Sequence, residues 1–161
     1  MGSSIHRTER LQEGRINIMM AARIVALIFA FFCLSQSAAW AQTAAQMDQT
    51  LDQLYGAHKP YHDFFNALQA AVKADNKTAV SKMISYPLQT MVGGKKVTLH
   101  DAAHFVASYD QIITAKVKSA VEHQTYETLF ARDQGVMIGD GEVWFSGVGS
   151  SNTVLITGIN Q

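Results

Sequence analysis

Histidine is the residue type whose spacing first suggests a site. Beyond residue 41 the chain has five histidines, and two pairs stand four apart: His58 with His62, and His100 with His104. Residues four apart share a helix face, and Asp63 and Asp101 lie beside them, so the pattern has divalent-metal spacing. Two features oppose that reading. Pro60 interrupts the first pair, because proline removes a backbone donor and crowds the preceding turn. The second pair straddles a strand end and a helix start. His58 also continues the apolar series Leu51, Leu54, Tyr55, while His104 lies with Asp101, Ser108 and Gln111 on a polar face. Packed, solvated or capping histidines are expected, with no metal and no cofactor.

Two carboxylates could do proton chemistry. Asp110 adjoins Tyr109, on an apolar stripe, and precedes Ile112-Ile113. A carboxylate in a cavity wall would have a raised pKa and act as a base, with Glu142 as acid–base partner. The competing reading gives Asp110 a local backbone bond near Thr114 or a lysine partner, and gives Glu142 a solvated place beside a turn. No catalytic residue is assigned. A G-x-S-x-G nucleophile elbow is absent from the sequence. Gly139-Asp140-Gly141 lies between strands rather than between a strand and a helix, which is the wrong context for cradling phosphate.

These residues must be positioned by the elements around them, and the most informative stretch is Gly135–Gly149, GVMIGDGEVWFSGVG. It reads as a β-hairpin turning at Asp140-Gly141, a pair suited to the positive φ angles of a type I′ turn. A two-residue period sends Val143 and Phe145 one way and Glu142, Trp144 and Ser146 the other. Large apolar groups on both sides predict a sheet covered on both faces. Trp144 is then core, or else lines a cavity with Glu142.

The preceding chain reads as helical. Residues 42–46 suggest a frayed start, with a helix from Met47. Pro60 marks a kink or a new helix with the stripe Tyr61, Phe64, Phe65, Leu68, Ala71, Val72. A short helix is expected at Lys77–Ile84. Tyr86–Val92 and Lys95–His100 read as strands around a Gly93-Gly94 turn. Asp101 begins a helix with Ala102, Phe105, Val106, Tyr109 and Ile113 on one side, and a last short helix follows Thr114. Tyr126–Ala131 opens the final sheet, Arg132–Gly135 is a turn, and Thr153–Ile159 closes the chain. Helices, a hairpin, a helix and then several antiparallel strands indicate α+β. Glycines throughout the last strands suggest a curved sheet.

Residues 19–41 read as a secretory signal. Arg23 precedes the apolar run Ile24–Leu34, which is short for a membrane span, and Ala39-Trp40-Ala41 fits a small-x-small cleavage site. The expectation is cleavage after Ala41, a periplasmic location and no stable membrane anchor afterwards. Translation starting at Met19 or Met20 rather than Met1 fits the signal better, and Phe32 before Cys33 disfavours lipidation. Cleavage would remove Arg7, Arg10, Arg15 and Arg23, leaving nine of thirteen basic residues. It would also remove Glu9 and Glu13, leaving eleven of thirteen acidic residues and a net charge of −2. With no basic block beyond Lys95-Lys96, nucleic acid is a poor partner. No cysteine would remain, which removes disulfides, thiol nucleophiles and cysteine metal sites. Residues 42–161 suit a single domain.

The element order, with Tyr86-Pro87-Leu88, the run from Tyr109 to Thr114 and the run from Gly135 to Phe145, resembles the nuclear transport factor 2-like superfamily. It also resembles small exported proteins of Gram-negative bacteria with that architecture. The likeness spans roughly residues 47–160. It implies N-terminal helices packed into a curved, mostly antiparallel sheet, a cone with a cavity. Members include steroid isomerases, dehydratases, polyketide cyclases and binding modules, so the fold leaves function open. The expected function is binding of a small apolar ligand or a protein partner. Pocket candidates are Tyr55, Phe65, Tyr86, Tyr109, Asp110, Met137, Glu142 and Trp144. The alternatives are an isomerase or dehydratase using a carboxylate or histidine, and a structural homodimer. Native mass spectrometry of protein exported by a bacterial host checks the signal: a mass starting at Gln42 is expected, and one retaining residues 19–41 contradicts it.

Overall fold

The computed structural model describes residues 43–161; the expected signal segment, Cys33 and the cleavage point lie outside them. Thr43 opens the first helix with a capping box. Its hydroxyl accepts the Gln46 backbone N–H at 3.3 Å, and its own N–H donates to the Gln46 side chain at 2.8 Å. Helix α1 (Ala44–Tyr55) thus begins before Met47, and the stretch read as frayed is ordered from Thr43. Gly56, at φ 83°, ends it in the left-handed conformation. The helix buries Met47 and Leu51 but leaves Leu54 exposed, so its stripe is narrower than the spacing suggested.

His58 does not continue α1. It precedes α2 (Lys59–Lys73), in which Pro60 sits in the first turn, where a missing N–H costs no helical bond. Helix α2 buries the whole expected stripe from Tyr61 to Val72. The Asn76 side chain caps the short α3 (Lys77–Ser81), accepting from Ala79 N–H at 3.0 Å.

Strands β1 (Leu88–Val92) and β2 (Lys95–Leu99) flank Gly93-Gly94, with φ 57° and 77° as a type I′ turn needs. Asp101 caps α4 (Ala102–Ala107) and Thr114 caps α6 (Ala115–His123). Between them a break at Ser108 sets off the single turn α5 (Tyr109–Ile112) from α4. A 3-10 turn at Tyr126–Thr128 leads into β3 (Phe130–Arg132), β4 (Gly135–Ile138), β5 (Val143–Val148) and β6 (Thr153–Ile159). These four form an antiparallel meander in chain order.

The β4–β5 loop differs from the expected two-residue turn. Ile138 pairs with Val143, so the loop is the four residues 139–142. Positive φ falls on Gly139 and Gly141 but not on Asp140. The cause is Glu142, whose side chain folds back under the loop. A Cβ at Gly139 would collide with its carboxylate.

The fold is α+β, but the expected cone is absent. The strands form two small antiparallel sheets: the four-stranded meander and the separate β1–β2 hairpin. Their junction is narrow. Ile84 makes an isolated parallel bridge to Ile156, and the Thr90 hydroxyl donates to the Ile159 carbonyl at 2.9 Å. Strands of three to seven residues give little length over which to curl. The glycines read as bends instead form turns at Gly139, Gly141 and Gly149, or admit close neighbours. A Cβ at Gly135 would lie 2.9 Å from the Phe145 carbonyl oxygen, and one at Gly147 would meet Asn152. Where a cone would hold a cavity, side chains pack. Phe145 meets Phe64 at 5.0 Å and Tyr61 at 6.3 Å between ring centres.

The core closes with Phe105 edge-on to Tyr109 at 5.8 Å. Tyr109 is 2% exposed, and among the described residues its hydroxyl is a buried side-chain oxygen without a hydrogen-bond partner. Burial pushes its pKa up to about 12. A buried unpaired hydroxyl costs about 1–3 kcal/mol, whereas the ring makes the packing contacts. Tyr109→Phe should therefore leave urea-unfolding stability unchanged or raise it by about 1 kcal/mol. A loss of that size would reveal a partner for the hydroxyl.

Candidate functional site

The register of the meander places two rows of side chains on the sheet face opposite the core. Phe130 pairs with Met137, Met137 with Trp144, and Trp144 with Gly158. In the neighbouring row Arg132 pairs with Gly135, and Ser146 with Leu155. Phe130 is 48% exposed, Arg132 is exposed, and Met137, Trp144 and Leu155 are half-buried. On the other face Val136, Ile138, Val143, Phe145, Val154 and Ile156 are buried. The expectation of a sheet covered on both faces is corrected: one face carries the helices, and the other presents an aromatic and aliphatic patch. Trp144 does face away from Val143 and Phe145, but onto the open side, so neither the core nor a shared cavity with Glu142 receives it.

Two glycines shape this patch. A Cβ at Gly141 would come within 3.5 Å of the Trp144 indole nitrogen and 3.7 Å of the Met137 sulfur. Gly158 approaches the Trp144 side chain just as closely. The Trp144 side chain therefore packs at ordinary contact distance beside both glycines. The Arg132 guanidinium stands over it at 5.8 Å, a cation–π geometry, and also donates to the Gln134 side chain.

The eight pocket candidates do not converge. Met137 and Trp144 share the open face. Tyr55 stacks on Tyr61 at 4.5 Å and donates its hydroxyl to the Arg132 carbonyl; burial and the nearby Tyr61 and Asp133 push its pKa up to about 12. Phe65 is core. Tyr86 donates to the Ser81 carbonyl at 2.9 Å, and its pKa is pushed up to about 12 by burial. Tyr109 is packed as described. Asp110, whose side chain is 77% exposed, pairs with Lys77 at 2.7 Å, the lysine pairing weighed above. A shallow recess of about 240 Å³ lies elsewhere, between β1, Lys96 and Ile159-Asn160, and touches none of the eight.

Glu142 does something the sequence did not suggest. Its side chain is 6% exposed, pairs with Lys116 at 3.0 Å and accepts the Asp140 N–H at 2.7 Å. The Lys116 bond holds its pKa below the usual 4.5, against the opposing effect of burial. It is an anchor for the loop rather than a pocket group or a solvated one.

His58, His62 and His104 engage neighbouring side chains. His58 Nδ1 lies 2.9 Å from Asp52, its Nε2 lies 4.0 Å from Asp48, and the Tyr126 hydroxyl donates to Asp48 at 2.7 Å. The His58 bond lowers the Asp52 pKa, while burial and Asp48 push that of Tyr126 upward. His62 stacks on Tyr126 at 3.8 Å, and His104 bonds to Asp101 at 2.8 Å. Among the described residues no three His, Cys, Asp or Glu side chains are grouped to hold a metal. Among them, too, no helix is long and apolar enough to cross a membrane.

Phe130, Arg132 and Leu155 were missed as site residues. A signal existed: a turn at Asp133-Gln134 sets Arg132 opposite Gly135 and so Phe130 opposite Met137. No family model, curated protein or solved structure matches the chain. The likeness to the nuclear transport factor 2-like superfamily is overturned by the uncurled, divided sheet.

Glu142 yields a pH prediction. Its folded pKa is depressed, so its contribution is complete above the unfolded value of 4.5 and is lost as pH falls through the lower folded value. Glu142→Gln should cost about 1–2 kcal/mol at pH 7, a charge-assisted bond to a largely exposed lysine being worth that much. The gap from the parent should narrow and close as pH falls below 4.5 and through the depressed folded value in denaturant titrations. A gap independent of pH would contradict the assignment.

Proposed function

We propose that this protein is a non-catalytic binding module, exported to the periplasm, that receives a protein surface or a small apolar molecule on the outer face of its four-stranded sheet. The carrying observation is the row Phe130–Met137–Trp144, held in register across three strands, with Phe130 exposed and Met137 and Trp144 half-buried. An apolar patch built on paired strands is rigid, so little side-chain freedom is lost when it is covered. Arg132 and Leu155 extend it into the next row.

Nothing comparable supports the isomerase or dehydratase reading. Asp110 is neutralised at the surface by Lys77, and Glu142 is committed to Lys116 and its own loop. A general base needs a proton to reach and walls that exclude water; Asp110 stands exposed, and Glu142 is held by Lys116 and the Asp140 N–H.

The neutral dye N-phenyl-1-naphthylamine tests the face without involving charge. Its emission should rise on binding the native protein. The double variant Phe130→Ser, Leu155→Ser should reduce that rise at least threefold with an unchanged thermal midpoint. An equal rise in the double variant would place the apolar site elsewhere.

A further inference from the structure

We propose that the partner on this face is a protein segment carrying a carboxylate beside an apolar side chain, with Arg132 as the counter-charge; this rests on the binding-face reading above. Three observations carry it. Arg132 is the sole arginine beyond residue 41, and it stands over Trp144, the sole tryptophan there. Among the described residues its guanidinium has the Gln134 side chain as a hydrogen-bond partner and no carboxylate, and it is the unpaired cation on this face, since Lys73, Lys82, Lys95 and Lys96 lie in neither row. Gly135, its neighbour in the row, adds no side chain between it and Ser146. The result is a forked cation beside an apolar surface. A guanidinium fork matches a carboxylate with two parallel bonds, and its place over the indole and its bond to Gln134 hold it near the apolar row.

The surface also discriminates among occupants. Four strands at roughly 4.8 Å spacing make a platform about 14 Å across. A chain segment laid across it covers more of it than a small molecule does. A second copy is the wrong match. The two rows hold Phe130, Met137 and Trp144, then Arg132, Ser146 and Leu155, with no acidic residue. Two such faces packed together would bring arginines and no carboxylate. Arginine, tryptophan and an adjoining aromatic are also the residue types that dominate interface energetics.

Selection of a displayed random twelve-residue peptide library on the immobilised full chain tests this directly. Selected peptides should be enriched in Asp or Glu next to Phe, Trp, Leu or Ile. Arg132→Gln should weaken their Kd at least tenfold with an unchanged thermal midpoint, Arg132→Lys should weaken it less, and Phe130→Ser should also weaken it. Peptides weakened by Phe130→Ser but indifferent to Arg132→Gln would overturn the carboxylate inference and leave the binding face standing. A selection that yields no peptide sensitive to Phe130→Ser would overturn both. A dimer in sedimentation velocity that Phe130→Ser dissociates would assign the face to a second copy and overturn the inference.

Discussion

The seating of α2 on one side of the meander is the constraint from which the rest follows. Phe64 and Tyr61 meet Phe145 there, and Tyr61 carries the contact on to Tyr55 of α1. Each such aromatic pair adds about 0.5–1.5 kcal/mol beyond the area it buries. The same Tyr61 hydroxyl accepts the Gly147 N–H at 3.2 Å, tying the helix to the strand backbone as well as to its side chains. With its single long apolar stripe spent on the inner face, α2 cannot cover the outer one.

The polar ties serve this arrangement. Asp52 and Asp48 hold His58 and Tyr126, which joins the end of α1, the start of α2 and the turn before β3. Gln69 reaches across from α2 to the carbonyls of Val121 and Gln124 at 2.8 Å, satisfying the C-terminal end of α6. Glu142 and Lys116 fasten the β4–β5 loop to α6. Groups whose types invited a catalytic reading are thus occupied in joining elements.

This division also explains why the outer patch is not a packing defect. Its row sits on strands paired on both sides at Met137 and Trp144, with a register shift between Trp144 and Phe145 on the β6 side. The exposed edge strand β3 is only three residues long, and the Tyr55 hydroxyl occupies the Arg132 carbonyl. Short, partly covered edges limit strand-to-strand aggregation.

By itself, the sequence determined the local elements and the core face of α2. Pro60, Gly93-Gly94, Asp101 and Thr114 each act within a few residues, through backbone geometry or a capping bond, so their effects are readable without the fold. Tyr61 to Val72 is a helical stripe long enough to reveal its period. The α+β order followed from the same local signals. Tertiary structure alone decided three things. It divided the strands into two sheets, the β1–β2 hairpin and the four-stranded meander, because contacts between them such as Thr90 with Ile159 link residues distant in the chain and leave no local signal. It set the Gly139–Glu142 loop, because Lys116, which pairs with the Glu142 beneath it, comes from another element. And it decided which side of β5 met water. Alternation separates Trp144 from Phe145, but only the seat of α2 determines which of the two it covers.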